Sequence, residues 1–509
     1  MAGSWPTNIR FTTQSYLLPI SSGFLLILAF PRFEQGYLAW VALFPLIWFT
    51  INNPPRKAAT GGFLYAVPIT LYLNFYLATL LYDYLPPLLA VFSTAALVAL
   101  VSLFSALFAA GASRAARLYP PLTLTFVLPS LWVLLEYTRS LGFTGYNVGY
   151  LGYSQWQYPL LLNITATYGY WGLPFLMVGL QCLVLMAGSR RLSGRKLLIG
   201  TVIWLALAGV GLFLPTTFTR EEPTTPTWAA LIQGNSSPEE VLSEGGKQLI
   251  LKRYIKLTRR AVTDEPRVKL VVWPETVVDL AGPAPVHKTE MINLAQELEI
   301  NLLYGARVLS EGRLYNSILA LPEGGGGITF YHKHRLVPFV EYFPAERLLN
   351  SMLNLDIKIG GYTAGKSKPT IFNLSGIPLA GVICFESYFG DHTRRFARDG
   401  ARHLFILTND AWFEKSISLE QHAQVAALRA AESGIGVTQV ANSGITLSFD
   451  HRGKELFRSP KLTEKIIIAP LSTGGRSTLY RRWGNYLPAF CGFYLLLLGG
   501  TTLYRRLRP

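Results

Sequence analysis

Apolar residues occur in long uninterrupted stretches at both ends of the chain and in short alternating stretches in the middle. Crossing about 30 Å of hydrocarbon takes roughly 20 mostly apolar residues in a helix. Eight stretches of that kind, bounded by Pro, Gly, Asn or basic residues, predict spans at about 13–30, 37–51, 61–81, 87–111, 121–138, 162–188, 197–214 and 486–504. A re-entrant hairpin competes for the first two, because the link Pro31-Arg32-Phe33-Glu34 is brief and the second stretch is short. No small-residue cleavage site follows the first stretch, which therefore reads as an uncleaved anchor. The expected organisation is a membrane domain at 1–214, an α/β domain at 215–485 and a closing span with a short tail at 486–509.

Between the seventh and eighth stretches the pattern changes to strands alternating with helices. Strands are expected at Trp228–Gln233, Val268–Trp273, Asn301–Arg307, Ser317–Leu321, Ile328–His332, Ile377–Cys384, His403–Thr408, Gly436–Ala441, Ile445–Phe449 and Lys465–Ala469. Amphipathic helices are expected at 237–262, 287–298, 391–400 and 419–432, the last opened by a Ser418/Gln421 capping box and stopped by Gly434. Turns at Gly324–Gly327 and His451–Gly453 imply hairpins, hence a mixed sheet in a layered α/β domain.

Charge sharpens this picture. Charged residues make up 15% of the chain, well below the roughly 25% usual in a soluble protein, and the net charge is +16. That excess is no nucleic-acid signal, because most of it lies in the least polar part. The segments before 216 and after 485 carry fourteen Lys/Arg against Glu34, Asp83 and Glu136. Eight crossings would gather twelve of the fourteen on one side, which the positive-inside rule makes cytoplasmic. Both termini are then cytoplasmic and the 215–485 domain is extracytoplasmic. A transporter or receptor would need polar groups within its spans, and only Asp83 and Glu136 are acidic there, both near ends; Glu136 and Arg139, three apart, could pair.

The cysteines single out one residue. Cys182 and Cys491 fall in apolar spans, which leaves Cys384 without a disulfide partner in the α/β domain. It is either a buried small hydrophobe or a functional thiol. Three segments carry chemistry: Trp273-Pro274-Glu275 ends one apolar strand, His332-Lys333-His334-Arg335 follows another, and Val382-Ile383-Cys384-Phe385-Glu386 ends a third. A carboxylate, a cation and a thiol are the base, charge stabiliser and nucleophile of acyl transfer. A metal site on His332 and His334 is a competing reading, but the other histidines lack ligand spacing. Gly360–Ser367 matches the phosphate-loop pattern, yet an extended stretch containing Pro369 follows it where a helix is needed, so a glycine-rich loop beside a site is the expected role.

Glu275, Lys333 and Cys384, in that order and with those flanks, resemble the Glu-Lys-Cys triad of the carbon-nitrogen hydrolase (nitrilase) superfamily. Leu28–Pro31, Leu38–Pro45, Glu136–Arg139 and Leu151–Gln155 in the membrane half, with Leu336–Pro344, Thr408–Phe413 and Ala441–Gly444 in the domain, narrow the resemblance to the apolipoprotein N-acyltransferases. It implies an αββα nitrilase-like sandwich beside a multispanning α-helical membrane domain. Cys384 would be nucleophile, Glu275 general base and Lys333 oxyanion stabiliser. Glu341 and Glu386 match further acidic positions, Trp412 and Phe413 would line an acyl path, and Tyr388 would supply a hydroxyl, since Phe385 stands where some members carry Tyr. Val340 and Glu414 replace glycines usual in the family. The implied reaction moves an acyl chain from a phospholipid, expected to be phosphatidylethanolamine, to a diacylglyceryl-apolipoprotein amine, with no cofactor, no metal and no nucleic acid. An apolar lid is expected at Phe339–Leu355. A membrane-tethered amidase or nitrile hydrolase with the same triad is the alternative.

Overall fold

A computed structural model describes residues 15–84, 86–142, 145–217, 221–222, 227–281, 286–338, 340–342, 361–413 and 416–507. Two compact units emerge. The first comprises residues 1–141, 145–218 and 483–509, the second 142–144 and 219–482.

The first unit is helical. Pro55–Tyr84, Pro87–Leu118, Pro121–Arg139, Gly194–Thr217 and Tyr486–Leu507 are each long and apolar enough to cross a bilayer. Three of these five begin on proline, whose fixed φ and missing N–H suit the first helical turn. The stretch expected at 162–188 is two helices, Pro159–Tyr168 and Gly172–Gly188, bent by 106°. Gly169, with φ +70°, separates them. The first two expected spans are also shorter than a bilayer crossing. Among the described residues they form Leu17–Ile27 and, after a single 3-10 turn at Gly36–Trp40, Phe44–Asn52. Exposed Leu198, Val202, Leu205, Phe213, Phe490, Phe493, Leu496 and Leu497 give the outer helices apolar surfaces, as lipid contact requires. On the inside, buried Glu136 accepts from the Leu151 N–H at 3.2 Å and the Tyr170 hydroxyl at 3.0 Å. Arg139 lies over the Tyr150 ring at 4.5 Å, so these two residues brace the helix end against the 150–170 segment.

The second unit stacks two sheets between helices. One sheet runs Lys465–Pro470, Trp228–Gln233, Val268–Val272, Asn301–Ser310, Arg313–Leu321, Thr329–His332, with Val278–Leu280 paired to Asn301–Ser310. The other runs Glu455–Arg458, Leu447–Phe449, Gly436–Ala441, His403–Thr408, Ile377–Ile383, Phe372–Leu374. Each has three parallel strands at its heart and antiparallel strands outside, the mixed pattern that the turns imply. Helices Gly246–Asp264 and Val286–Glu297 cover the first sheet through Ile250, Tyr254, Leu257, Met291 and Leu294, which share a core with Trp273 and Tyr304. Helices Gly390–Arg398 and Ser418–Ser433 pack on the second. Ile318 meets Gly381 where the two sheets face each other.

Two local expectations change. The helix expected at 237–262 is two, Pro238–Leu242 and Gly246–Asp264, because Gly245 adopts φ +72° between them. Its first piece carries the capping box, Ser237 with Glu240, whereas the helix from Ser418 to Ser433 has no side-chain cap; the Ser418 hydroxyl turns to Ser416 instead. Gly434 does end that helix, with φ +67°.

Candidate active site

The parallel strands set the site. In α/β sheets functional groups gather beyond the carboxyl ends of parallel strands, and Glu275, Cys384 and Asn409 follow Val268–Val272, Ile377–Ile383 and His403–Thr408 respectively. Cys384 takes φ +49° as its strand breaks into the 3-10 turn Cys384–Tyr388. A non-glycine residue held there costs about 1–3 kcal/mol and marks functional positions. As a residue Cys384 is half-buried.

Lys333 is 1% exposed and lies at the end of Thr329–His332. Its ammonium donates to Glu341 at 2.9 Å and stands 3.6 Å from Glu275 Oε1. Asn316 bridges both carboxylates through Nδ2, at 2.7 Å from Glu275 and 3.0 Å from Glu341. The Asn409 N–H donates to Glu275 Oε2 at 2.9 Å and the Val337 N–H to Glu341 Oε2 at 2.8 Å. Every carboxylate oxygen of the cluster is thus held. The backbone approaches closely behind it. A Cβ on Gly305 would meet the Pro274 carbonyl and stand 2.6 Å from Glu275 Cα, and one on Gly365 would meet the His332 carbonyl. Gly365 donates to the Lys333 carbonyl at 2.8 Å, which gives the end of the Gly360–Ser367 motif a bracing role beside the site.

Burial and neighbouring charge tune these groups. Burial raises the Glu275 pKa above its ordinary value, and Glu341 adds to the rise although Lys333 opposes it. Burial works against the Lys333 charge, but Glu341 and Glu275 outweigh it and keep the ammonium protonated well above the lysine range. The Cys384 thiol is pushed up by burial and by the Glu275 carboxylate, with Lys333 pulling the other way. A thiol in that state stays protonated until a base removes its proton.

The other expected residues divide. Glu386 is fully buried and accepts from the Tyr331 hydroxyl at 2.6 Å, from the His334 and Arg335 N–H groups at 2.8 and 3.0 Å, and through Oε2 from Ile383 N–H at 2.9 Å. Burial opposes its charge, yet His392 and these donors bring its pKa down to about 2. It ties the cysteine turn to the loop after Lys333 rather than joining the charged cluster. Tyr388 is buried and stacks on His422 at 5.7 Å. Trp412 and Phe413 are half-buried in the turn Asp410–Phe413 that follows Asn409. The expected lid falls, apart from 340–342, outside the described residues, as does Glu414. His332 and His334 turn apart, to the Ser317 hydroxyl and the Gly365 carbonyl.

Several site residues were not singled out by the sequence: Asn316, Asn409, Asp410 and His422. Asn409 and Asp410 lie within the Thr408–Phe413 motif, whose order held a signal. His422 looked scattered because a strand end, a turn and a helix start separate it from its partners. Its Nδ1 is 3.1 Å from Asp410 Oδ1 and its Nε2 3.1 Å from the Cys384 carbonyl.

Residues 214–479 match the carbon-nitrogen hydrolase family, so fold and site together define a carbon-nitrogen hydrolase domain. Residues 22–183 match the apolipoprotein N-acyltransferase N-terminal domain. The apolipoprotein N-acyltransferase of Azotobacter vinelandii is 31% identical over 99% of this chain and 96% of its own. That of Geobacter metallireducens is 29% identical over 94% and 93%, and that of Methylococcus capsulatus 29% over 93% of each. The chain belongs to the apolipoprotein N-acyltransferase family.

Proposed function

We propose that the Glu275–Lys333–Cys384 set transfers an acyl chain from a phospholipid to the α-amine of a diacylglyceryl-cysteine at an apolipoprotein N-terminus, through a thioester. The observation that carries it is the buried Lys333 ammonium held between Glu341 at 2.9 Å and Glu275 at 3.6 Å, with the partly exposed Cys384 at the adjoining strand end.

Glu275 takes the Cys384 proton as sulfur attacks the ester carbonyl. Its raised pKa makes it a stronger base than an ordinary carboxylate. The oxyanion forms beside Lys333, where a fixed charge in a dry site is worth far more than in water. The tetrahedral adduct collapses, the sn-glyceryl oxygen leaves with the proton from Glu275, and a lysophospholipid departs. The acceptor amine then attacks the thioester, Glu275 accepts the amine proton, and the thiol is restored as the amide forms. Glu341 keeps Lys333 protonated and in place, so that Glu275 need not be its sole counter-ion. Trp412 and Phe413 contribute apolar surface for the chain, and Tyr388 positions through its stack on His422. Phosphatidylethanolamine is the proposed donor.

The proposed location is the bacterial cytoplasmic (inner) membrane, with the termini inside and the 219–482 unit outside. The twelve-to-two partition of Lys/Arg expected from eight crossings supports it.

Incubation of the purified protein with phospholipid, followed by intact-mass analysis, tests the reaction. An acyl adduct on Cys384, discharged by a diacylglyceryl-cysteinyl peptide, is expected. Free fatty acid as the only product would favour an amidase-like hydrolase, and the absence of an adduct would overturn the thioester route.

A further inference from the structure

A second set of groups lies beside Cys384, separate from the Glu275–Lys333–Glu341 cluster. The Cys384 sulfur, a carboxylate oxygen of Asp410 and a ring nitrogen of His422 all lie within 4.8 Å of one another. Asp410 is fully buried and His422 only 5% exposed. Thr408 donates to Asp410 Oδ1 at 2.7 Å, and His422 Nδ1 faces the same oxygen at 3.1 Å. Asp410 Oδ2 is buried with no hydrogen-bond partner among the described residues. The imidazole is anchored from its far side, where Nε2 meets the Cys384 carbonyl and the Ser387 hydroxyl, both at 3.1 Å.

Thiolate, imidazole and carboxylate are the donors that zinc takes, and harder ions such as Mg²⁺ do not favour such a set. Two ligands of one zinc ion stand at most about 4.4 Å apart, and about 3.6 Å at the tetrahedral angle. The three ligand atoms, within 4.8 Å of one another, need close by at most about 1.2 Å to reach tetrahedral spacing. The formal charge of the surroundings also favours a cation, with Asp410, Glu275 and Glu341 against Lys333.

We infer that Cys384, Asp410 and His422 form a binding site for zinc or a similarly thiophilic divalent cation, and that its occupation blocks acyl transfer. Binding breaks the Cys384 S–H bond and forms a sulfur–metal bond. The proton passes to Glu275 or solvent, water completes the coordination, and no group is oxidised or reduced. The binding stands on the geometry alone; the inhibition rests on Cys384 being the nucleophile of the proposed function.

The test uses the full-length protein in detergent, with Co²⁺ as a spectroscopic substitute for zinc. Thiolate-to-cobalt charge-transfer absorption is expected in the wild type, lost in Cys384→Ala and requiring at least tenfold more metal in Asp410→Asn. Micromolar-range Zn²⁺ should suppress acyl transfer, EDTA should restore it, and Mg²⁺ at the same concentration should not inhibit. Absence of the charge-transfer band, or undiminished binding by Cys384→Ala, would overturn the site, even where zinc inhibits from elsewhere. Metal binding without inhibition would leave the site standing and overturn the nucleophile assignment. Should Asp410→Asn fail to unfold cooperatively, alkylation of Cys384 by iodoacetamide takes its place: zinc must slow it in the wild type, and an unchanged rate counts against the site.

Discussion

Lys333 carries the largest consequence of any single side chain. It neutralises two buried carboxylates, so removing its charge leaves them facing each other without a counter-ion. Lys333→Met is expected to cost about 3–5 kcal/mol of stability by differential denaturation and to lower acyl-enzyme formation by about a hundredfold or more. As the proposed base, Glu275 should set the acid side of the pH profile. The base works only when ionised, and its pKa lies above the ordinary carboxylate value. The rate of thioester formation should therefore fall with decreasing pH at a pH above 4.5, and Glu275→Gln should abolish that limb together with the activity. Glu386 acts on stability with the sign of a depressed pKa. Its contribution is full above the unfolded value of 4.5 and is lost as pH falls towards about 2. A shift of that size corresponds to about 3 kcal/mol, so Glu386→Gln should lower neutral-pH stability by that order and flatten the acid limb of the unfolding curve. The charged members of the site were legible as residue types ending apolar strands, and the resemblance gave them roles. Asn316 was not legible: it is an ordinary strand residue whose amide meets two carboxylates only after the hairpin of Asn301–Ser310 and Arg313–Leu321 has set its register.

Among the elements, the strand Asn301–Ser310 passes directly behind Glu275. Gly305→Ala places a methyl against the Pro274–Thr276 backbone, with contacts at 2.6 Å to Glu275 Cα and 2.7 Å to Thr276 N. A stability loss of about 1–3 kcal/mol is expected, along with a fall in turnover larger than that loss would cause, since Glu275 itself is displaced. Turnover measured on the folded fraction separates the two effects. Apolar alternation revealed most strands of the two sheets to within a residue or two, and Gly434 announced its helix stop. Three short strands, Val278–Leu280, Phe372–Leu374 and Glu455–Arg458, escaped because three or four residues carry too little alternation to register. The Ser418 and Gln421 pair matched the spacing of a capping box, but the serine hydroxyl found a nearer partner in Ser416. In the helical unit, apolar length alone could not reveal the bend at Gly169, whereas the brief link after Pro31 and the short second stretch did signal that the first two helices need not be full spans.

For the whole molecule, the proposed sidedness has a direct check. A cysteine introduced at Lys454, in the exposed hairpin beyond His451, should react with a membrane-impermeant maleimide in intact spheroplasts. Reaction only after permeabilisation would place the 219–482 unit on the cytoplasmic side. The apolar helices at both ends also predict that the protein leaves the membrane only with detergent, not with high salt or alkaline carbonate.

The antiparallel pairing of Lys465–Pro470 with Trp228–Gln233 imposes an order on synthesis. The first long strand of the α/β unit emerges from the ribosome more than two hundred residues before its outer neighbour, and until then it is an open sheet edge, the surface on which nascent chains mispair. Pairs so distant in sequence close slowly. A chain that stops short of residue 465 would keep that edge bare and would also lack the helix Tyr486–Leu507. Completion of the sheet and synthesis of that helix therefore follow each other closely in translation, and a product truncated before residue 465 lacks both.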